Sequence, residues 1–419
     1  MGPAEKLDAA VEVPTSGEAC RADAFEDKRG VAGELLLGAS RSCDRTGSRG
    51  ERLIRVSASG SYDVAVGRGL LDEAGARIRA ALPGADDAVL LVSDEHVAPH
   101  YEGCVRASLE AVGFAVRTLV LPAGEPTKCL ASLGRVLEAA AEAGLTRQST
   151  IVALGGGVIG DLAGFAAATY MRGCHLVQVA TSLLAMVDSS VGGKTAIDLP
   201  QGKNLAGAFY QPALVLCDLD ALSTLPADFW TDGTGEIIKY GIMSDSELFG
   251  WLNEPLAPQV ERVVARCVAI KRDVVEADER EGGLRKKLNL GHTVGHAIER
   301  LSGFGVSHGQ AVAAGCAIMA RACAAQGLCE PQVATGIEAQ LRTHGLPLGC
   351  DYPAHDLFEA ALSDKKRVGD HIDVVLVHGI GSTEVRRVSL SELEALIEAG
   401  TRPAGHAGPS DASALPSVQ

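Results

Sequence analysis

The sequence predicts an α/β chain in two parts, a parallel-sheet part followed by a mainly helical part. Apolar runs alternate with helix-period segments from about residue 53 to residue 225, and helical spacing dominates after Pro226. A glycine-rich turn also follows one of the apolar runs directly. Strands that alternate with helices through short connectors are typical of a parallel sheet with helices packed on its faces.

Each element of the first part has a local signal. A turn at Ser59-Gly60 separates two short strands, and the run Ala88–Asp94 is apolar until its last two residues, as a buried parallel strand is. Helix-period segments lie between the later strands. The predicted strands are 53–56, 62–66, 88–94, 114–121, 150–154 and 175–180, and the predicted helices include 70–82, 100–112 and 128–144.

The second part carries apolar residues at helical spacing, with one strand signal at 372–377. Its predicted helices are 233–250, 258–278, 288–301, 308–326 and 331–344. Residues without periodicity or rich in Pro, Gly, Ala and Ser lie at the two ends. The predicted organisation is a disordered leader at 1–50 with a short helix near 33–37, an α/β domain at 51–225, a helical domain at 226–400 and a flexible tail at 401–419.

The net charge and the cysteine spacing exclude some binding partners and predict a location in the cell. The 419 residues include 38 Lys and Arg against 53 Asp and Glu, so the net charge is 38 − 53 = −15. A polyanion is a poor partner for nucleic acid or an anionic membrane, and neither is expected to bind. The 11 cysteines contain no CxxC pair, which is typical of reduced thiols in a cytosolic protein. Neither a membrane span nor a signal peptide is visible, so a cytoplasmic location is expected.

A glycine-rich turn marks the first candidate site. Gly155, Gly157 and Gly160 satisfy the G-x-G-x-x-G pattern directly after the strand at 150–154, where glycines let the backbone approach a pyrophosphate at a helix N-terminus. The acid that normally follows about 20 residues later is absent. The pattern therefore indicates either a nucleotide site of a different layout or a plain turn. Asp94, at an earlier strand end, is a candidate for binding the ribose or for capping a helix.

Two further segments place lysines beside shaped loops. Leu121–Lys128 contains two prolines and a glycine between a strand and a helix, and it is either a ligand loop or an ordinary connector. Gly192-Gly193-Lys194-Thr195 resembles the end of a P-loop but lacks the upstream glycine, so a nucleoside triphosphate site is excluded. A lysine presented by glycines still favours a phosphate or another anion, and Lys203-Asn204 lies close behind.

A set of histidines and one carboxylate indicates a metal site. His292 and His296 lie one turn apart on a predicted helix, His308 begins the next helix, and Glu236 lies on an earlier one. Two histidines and a carboxylate with an open position are typical of a catalytic zinc site. Thr293 stands where metalloproteases carry their catalytic glutamate, so the pattern differs from theirs.

Taken together, these blocks resemble the 3-dehydroquinate synthase family of sugar phosphate cyclases, over about residues 54–395. The shared blocks are GGGVIGD at 155–161, ATSLLAMVDSSVGGKTAIDLPQGKNLAGAFYQP at 180–212, GEIIKYG at 235–241, LNLGHTVGHAIE at 288–299 and SHGQAVA at 307–313. The resemblance implies an α/β N-terminal Rossmann-like NAD domain followed by a mainly α-helical metal-binding domain, with the active site between them. It also implies a homodimer.

The resemblance further implies roles for single residues. Zinc or cobalt would be held by Glu236, His292 and His308, with His296 beside the metal and the reacting sugar. NAD would contact Asp94, Ala123, Gly124, Glu125, Pro126, Thr127, Lys128, Gly157, Val158, Ile159, Gly160, Asp161, Thr181, Ser182, Lys194, Lys203, Ala221, Leu222, Ser223 and Thr224. The substrate phosphate would contact Lys194, Asn204, Lys365 (chosen over Lys366) and, across the dimer interface, Arg172. The rest of the substrate would contact Lys239, Lys271, Arg285 and Asn289, with Glu281 in support.

Two positions depart from the family pattern. Ala180 stands where a proline usually precedes the Thr181-Ser182 pair, and Gly235 stands where an alanine usually precedes the metal glutamate. Neither position supplies a functional side chain, so a shifted loop is the largest effect that we expect.

The resemblance implies a reaction in which NAD acts as a catalyst. The substrate would be 3-deoxy-D-arabino-heptulosonate 7-phosphate, on the shikimate pathway to chorismate and the aromatic amino acids. It would be oxidised at C5, lose its phosphate by elimination, be reduced again, and close its ring by an intramolecular aldol step to give 3-dehydroquinate. The resemblance also implies that the departing phosphate accepts the C6 proton, which agrees with a sequence where only His296 stands out as a general base.

Three alternatives stay open at this stage. An aminodehydroquinate synthase or another sugar phosphate cyclase, such as a deoxyinosose or valiolone synthase, would share many of these blocks. A glycerol dehydrogenase-like oxidoreductase would share the architecture and the His-rich metal site, but it would lack the phosphate-binding lysines and release NADH. A non-catalytic binding protein would not need an intact metal set.

Overall fold

The computed structural model describes residues 44–47, 50–362, 367–368 and 370–402. The helix predicted near 33–37, the tail, and Lys365 and Lys366 lie outside these residues. The strands are β1 (Arg45–Thr46), β2 (Arg52–Ser57), β3 (Ser61–Gly67), β4 (Ala88–Asp94), β5 (Ala115–Leu121), β6 (Thr150–Gly155), β7 (His175–Ala180), β8 (Lys194–Leu199), β9 (Gly202–Phe209), β10 (Leu214–Asp218), β11 (Arg367–Val368), β12 (His371–Gly379) and β13 (Ser382–Ser389). The helices are α1 (Ala74–Ala81), α2 (Ala98–Ala111), α3 (Leu130–Glu142), α4 (Gly157–Thr169), α5 (Ala227–Ser244), α6 (Ser246–Trp251), α7 (Val260–Ala277), α8 (His292–Leu301), α9 (His308–Ala325), α10 (Pro331–Thr343), α11 (Ala354–Ala361) and α12 (Leu390–Thr401).

The main sheet has eight strands in the order β1-β2-β3-β10-β7-β6-β4-β5. The six strands from β3 to β5 in that order run parallel, and β2 pairs antiparallel with both β1 and β3. Every residue of β6 and β10 is buried, as expected for continuous apolar runs covered by helices on both faces. The α/β class predicted for the first part is therefore confirmed.

The order of the strands fixes where a ligand crevice lies. The chain passes from β4 outward to β5, then returns to place β6 on the other side of β4 and continues through β7 to β10. The strand order therefore reverses between β4 and β6. In open parallel sheets, ligands bind at such a point, outside the carboxyl ends of the strands. The loops that follow β4, β5, β6, β7 and β10 all meet at this edge.

The second part is mainly helical, as predicted, and it carries a small antiparallel sheet of β11, β12 and β13. A hydrophobic cluster continues from the β2–β3 hairpin into these helices, and Ile54, Val64, Ile237 and Ile318 all belong to it. The division at residue 225 stays a prediction. Among the helices described here, none has the length and apolar character that crossing a bilayer requires.

The segment predicted as one helix at 233–250 is two helices, α5 and α6. The break falls at Asp245, whose carboxylate accepts a hydrogen bond from the Leu248 backbone N–H and so caps α6. The prediction also missed the β8–β9 hairpin, β10 and β13. β8 and β9 pair with each other as a separate two-stranded sheet beyond the main one.

The carboxylate of Asp218, at the end of β10, binds backbone N–H groups from two segments. One follows β3, and the other is the turn after β10 where NAD contacts are predicted. Asp218 is 2% exposed, and its Oδ1 accepts from the backbone N–H groups of Gly69 and Asp220 at 3.1 and 3.0 Å. Its Oδ2 accepts from the N–H of Leu71 at 2.9 Å. The side chain therefore satisfies three backbone donors with one buried group.

We predict that Asp218→Ala lowers the free energy of unfolding by roughly 2–6 kcal/mol. The N–H groups of Leu71 and Asp220 lose their acceptor, while that of Gly69 keeps the Asp220 Oδ2, and each donor left without a partner costs about 1–3 kcal/mol. Equilibrium unfolding in urea measures the change. Asp228→Ala, at an exposed position of α5, is the matched control and should change little. Equal stability of the two variants would contradict the prediction.

Candidate active site

The loops predicted to bind a dinucleotide lie together at the carboxyl edge of the parallel strands. Asp94 ends β4, and its Oδ1 accepts from the N–H groups of His96 and Val97 at 2.9 and 3.0 Å. Asp94 thus stabilises the turn before α2 and does not cap that helix, whose N-cap position is Val97. These bonds use only one carboxylate oxygen, and the ribose role stays a prediction. The remaining candidates follow β5, β6, β7 and β10, at 123–128, 157–161, 181–182 and 221–224.

The glycines of the turn after β6 lie close against neighbouring side chains. α4 begins at Gly157, where a Cβ atom would lie 3.0 Å from the Ser189 Oγ, and a Cβ on Gly160 would lie 2.8 Å from the Gln178 Oε1. No side chain of the described residues caps α4. Its first backbone N–H groups therefore have the arrangement that binds a phosphate group at a helix N-terminus.

Lys128 joins two of the predicted binding loops. Its Nζ lies 2.5 Å from Asp161 Oδ2 in α4 and 2.5 Å from Asn204 Oδ1 in β9, and the lysine is 4% exposed. Burial lowers the pKa of Lys128, but the neighbouring carboxylates of Asp161 and Glu125 outweigh it and raise the pKa. The ammonium group is therefore charged, and it connects a predicted cofactor residue with a predicted phosphate ligand.

Three helices bring the predicted metal ligands together. Glu236 lies in α5, His292 begins α8 and His308 begins α9, and one ligand atom from each lies within 4.8 Å of the other two. The Glu236 Oε1 is 3.7 Å from the His292 Nε2 and 3.4 Å from the His308 Nε2. Ligands about 2.1 Å from a tetrahedral ion lie about 3.4 Å apart, so these separations suit Zn²⁺ or a similar ion.

The surroundings of these ligands also suit a metal. The His292 Nδ1 lies 3.1 Å from the Leu290 carbonyl oxygen, and the His308 Nδ1 lies 3.4 Å from a Glu299 carboxylate oxygen. Such contacts leave each Nε2 to face Glu236, as in most histidine metal sites. Glu236 is fully buried, and neither of its oxygens accepts a well-aligned hydrogen bond among the described residues, although Lys239 contacts one of them. A cation between the three ligands would compensate this carboxylate.

Charges alternate outward from Glu236. Lys239 lies one turn further along α5, and Lys271 in α7 contacts Asp188 at 2.8 Å. Burial raises the pKa of Asp188, but Lys271 and Lys239 outweigh it and hold that pKa well below its usual range. Burial lowers the pKa of Lys239, but Glu236 and Asp188 outweigh it and raise the pKa. Burial lowers the pKa of Lys271, and this effect dominates there despite Asp188.

The predicted substrate residues form a second group around Glu281. Its two carboxylate oxygens contact the Lys194 Nζ at 2.6 Å and the Asn289 Nδ2 at 2.7 Å. Glu281 has φ 62°, a left-handed conformation that is uncommon for a residue other than glycine. Arg285 is 1% exposed, and its guanidinium donates to the Gly192 carbonyl at 2.9 Å. Lys194 therefore lies near Asn289 in space although 95 residues separate them in the sequence.

Two of the predicted substrate residues are not part of these groups. Arg172 lies just beyond α4 in an exposed position with φ 68°, directly after Met171 with φ 49°. No hydrogen bond or ion pair among the described residues connects Arg172 with the groups above. Lys365 lies outside the described residues.

Sequence reasoning missed three residues that the structure places in these groups, namely Asp188, Tyr240 and Glu299. Asp188 accepts from the Tyr240 hydroxyl at 2.6 Å in addition to Lys271, and Glu299 contacts His308. Glu299 falls seven residues after His292, on the same face of α8, so helical spacing alone contained a signal for it. No comparable signal exists for Asp188, because its partners come from distant segments.

Comparison with known proteins settles the family. The model for the 3-dehydroquinate synthase N-terminal region matches residues 118–232, and the model for the C-terminal region matches residues 233–367. A 3-dehydroquinate synthase from Caulobacter vibrioides (strain NA1000 / CB15N) is 45% identical over 357 residues, which cover 81% of this chain and 96% of the relative. The chain belongs to the 3-dehydroquinate synthase family.

Solved structures of sugar phosphate cyclases share the fold. A 2-deoxy-scyllo-inosose synthase complexed with carbaglucose-6-phosphate, NAD⁺ and Co²⁺ is 26% identical, with a TM-score of 0.74 over 83% of this chain and 99% of its own. A 2-epi-5-epi-valiolone synthase from Streptomyces hygroscopicus subsp. jinggangensis 5008, with NAD⁺ and Zn²⁺ bound, is 27% identical, with a TM-score of 0.73 over 82% and 98%. The predicted order, a Rossmann-like domain before a mainly helical one, is confirmed.

Gly235, one of the two departures from the family pattern, has a larger structural role than expected. It lies inside α5 and not in a loop, and a Cβ on it would overlap the carbonyl oxygen of Gly309 in α9. The Gly309 N–H in turn donates to the Asp232 Oδ1 at 2.5 Å. α5 and α9 therefore pack backbone to backbone directly beside Glu236 and His308.

We predict that Gly235→Ala separates Glu236 from His308 and weakens zinc binding. Inserting a methyl group into a tight contact typically costs about 1–3 kcal/mol, so thermal stability should fall as well. Competition with a chromophoric chelator measures the zinc affinity. Gly250→Ala, in α6 where a Cβ meets open space, is the matched control. An unchanged zinc affinity in Gly235→Ala would show that the two helices tolerate the methyl group.

Proposed function

We propose that this chain is a 3-dehydroquinate synthase. The reaction converts 3-deoxy-D-arabino-heptulosonate 7-phosphate into 3-dehydroquinate and phosphate by transient oxidation, phosphate elimination, reduction and intramolecular aldol closure. The observation that carries the proposal is the pairing of the Glu236–His292–His308 set with buried and half-buried lysines, in a chain 45% identical to a 3-dehydroquinate synthase. It is a phosphate-eliminating carbon–oxygen lyase of the shikimate pathway.

The cofactors are NAD and a divalent metal, Zn²⁺ or Co²⁺. NAD⁺ supplies reversible hydride transfer, and the metal supplies Lewis-acid stabilisation of the substrate hydroxyls. The proposed NAD contacts are the loops at the β4–β6 crevice together with Lys194 and Lys203. The proposed metal ligands are Glu236, His292 and His308, whose three donors leave a position for the substrate.

The cationic side chains bind and orient the substrate. Lys194 and Asn204 would hold its phosphate, while Lys271, Arg285 and Asn289 would hold the carboxylate and ring hydroxyls. The buried positions of Lys271 and Arg285 exclude water from these contacts, which strengthens them. Lys239, beside Glu236, would hold a hydroxyl next to the metal. His296 would move a proton, because its ring lies 5.3 Å from that of His292 and therefore close to the open metal position.

The remaining assignments concern partners and location. We propose a homodimer in which Arg172 reaches the phosphate of the neighbouring active site, and Lys365 completes that phosphate site. The exposed Arg172 beside the exposed Met171 supports this role, since both side chains point away from their own chain's core. A cytoplasmic location and the division into domains at residue 225 are also proposals.

The decisive experiment supplies the seven-carbon substrate with substoichiometric NAD and zinc and follows phosphate release. We expect many turnovers per NAD, no accumulation of NADH, and formation of 3-dehydroquinate. Chelation should abolish the activity, and zinc or cobalt should restore it. NADH accumulating in proportion to product would favour a dehydrogenase. Turnover of only the amino-substituted substrate would favour an aminodehydroquinate synthase, and full activity without metal would overturn the metal assignment.

We predict that Lys194→Ala lowers kcat/KM at least about tenfold, because a hydrogen bond to a charged group contributes about 1.5–3 kcal/mol. The Lys194 side chain is 48% exposed, so its ion pair with Glu281 adds little stability and the melting temperature should hardly change. The loss should appear in kcat as well if the phosphate charge grows in the transition state.

Arg117→Ala, which removes a 63% exposed cation from β5, is the control for loss of positive charge alone. Inorganic phosphate should compete with substrate in the parent and in this control, and less well in Lys194→Ala. If Lys194→Ala keeps parental kinetics and phosphate inhibition, Lys194 does not bind the phosphate.

A further inference from the structure

Glu299 is a buried carboxylate to which the proposed reaction assigns no role. It lies near the end of α8 and is 3% exposed. His292, His296 and Glu299 occupy positions i, i+4 and i+7 of this helix and therefore share one face. That face meets the start of α9, where His308 lies.

Each Glu299 oxygen has its own cationic or donor partner. Oε2 lies 3.4 Å from the Nδ1 of His308, the nitrogen turned away from Glu236. Oε1 lies 3.2 Å from the Nζ of Lys203, which β9 contributes. The Lys203 ammonium also lies 4.6 Å from the ring centre of Phe304 and 3.7 Å from Glu125 in the β5–α3 loop. Glu299 thus connects a proposed metal ligand in the helical part with Lys203 of β9, a proposed cofactor contact.

We infer that Glu299 is a positioning residue that fixes His308 for the metal and is itself held in place by Lys203. The inference rests on the metal site proposed above. A carboxylate that accepts from Nδ1–H keeps the imidazole in the tautomer whose Nε2 lone pair faces the metal, and it raises the basicity of that nitrogen. Lys203 reduces the cost of burying the carboxylate and restricts its orientation.

A second cation site is the competing interpretation of the same residues. One ligand atom each from His296, Glu299 and His308 also lies within 4.8 Å of the other two. Two features favour positioning instead. Both Glu299 oxygens already have partners. A second ion would also have to bind the His308 Nδ1, so the ring would lose its Nδ1 proton and bridge two ions, because its Nε2 faces Glu236. The number of metal ions bound per chain therefore separates the two interpretations.

The test measures zinc affinity and stoichiometry on metal-free protein without substrate or NAD, by competition with a chromophoric chelator. Glu299→Gln and Glu299→Ala should each weaken zinc binding by about 10–100-fold, the usual effect of removing the outer partner of a metal ligand. The alanine variant should lose more, since the glutamine oxygen still accepts from Nδ1–H. One zinc ion per chain is expected in the parent.

Glu51→Gln is the matched control for loss of a buried carboxylate. Glu51 is 5% exposed and pairs with Arg77 at 2.9 Å in the sheet part. The Glu51→Gln variant should have lower thermal stability, but its zinc dissociation constant should stay within about twofold of the parent value. An equal loss of zinc affinity in Glu51→Gln and Glu299→Gln would show that general destabilisation, and not positioning, is responsible.

Lys203→Met keeps the inference testable even if the Glu299 variants do not fold. Lys203 is half-buried and contacts no metal ligand directly, yet its loss should weaken zinc binding by a smaller factor in the same direction, because Glu299 loses its anchor. Parental zinc affinity in the Glu299 variants, or in Lys203→Met where those variants do not fold, would overturn the inference, as would two zinc ions per chain. A parent that binds no zinc would instead overturn the proposed metal site.

Discussion

The architecture of the site depends on the burial of one carboxylate. Glu236 is completely shielded from solvent, and removing a carboxylate from water costs several kcal/mol unless charges and hydrogen bonds compensate it. The compensating groups come from three different helices, so α5, α8 and α9 have to approach one another closely. Glycines at the contacts make this approach possible: a Cβ on Gly315 would overlap the Gly291 carbonyl, and one on Gly309 would overlap the Asp232 carbonyl.

The need to compensate buried charges also joins the metal ligands to the sheet. Lys239 compensates Glu236 and needs a counter-charge of its own, which Asp188 supplies from the segment after β7. Asp188 then contacts Lys271 in α7. Through these alternating charges the carboxyl edge of the parallel sheet is joined to the helices by polar contacts as well as by the apolar cluster. The metal ligand Glu236 and the segment after β7 consequently belong to one electrostatic network.

The elements that could be predicted from the sequence are those marked by a pattern within one short stretch of residues. β4 and β7 were predicted with their exact limits because runs that are mostly apolar mark buried parallel strands, and His308 was placed correctly at the start of a helix. The β8–β9 hairpin was missed because its glycines and exposed positions give neither a continuous apolar run nor strict alternation. Contacts such as Asp188 with Lys271 join residues 83 positions apart, and one sequence does not reveal them.

The charge pattern also explains how a chain with net charge −15 can take an anionic substrate. Each candidate lysine in the described part of the chain contacts an acidic residue of the chain itself. The pairs are Lys128–Asp161, Lys194–Glu281, Lys203–Glu299, Lys239–Glu236 and Lys271–Asp188. These acids orient the ammonium groups, so little further ordering is needed when a ligand binds. The phosphate proposed to bind Lys194 would displace Glu281, which is half-buried and has a left-handed backbone conformation. An uncharged sugar would bring no negative charge to replace that of Glu281, so under the proposed assignment the resident carboxylate favours an anion.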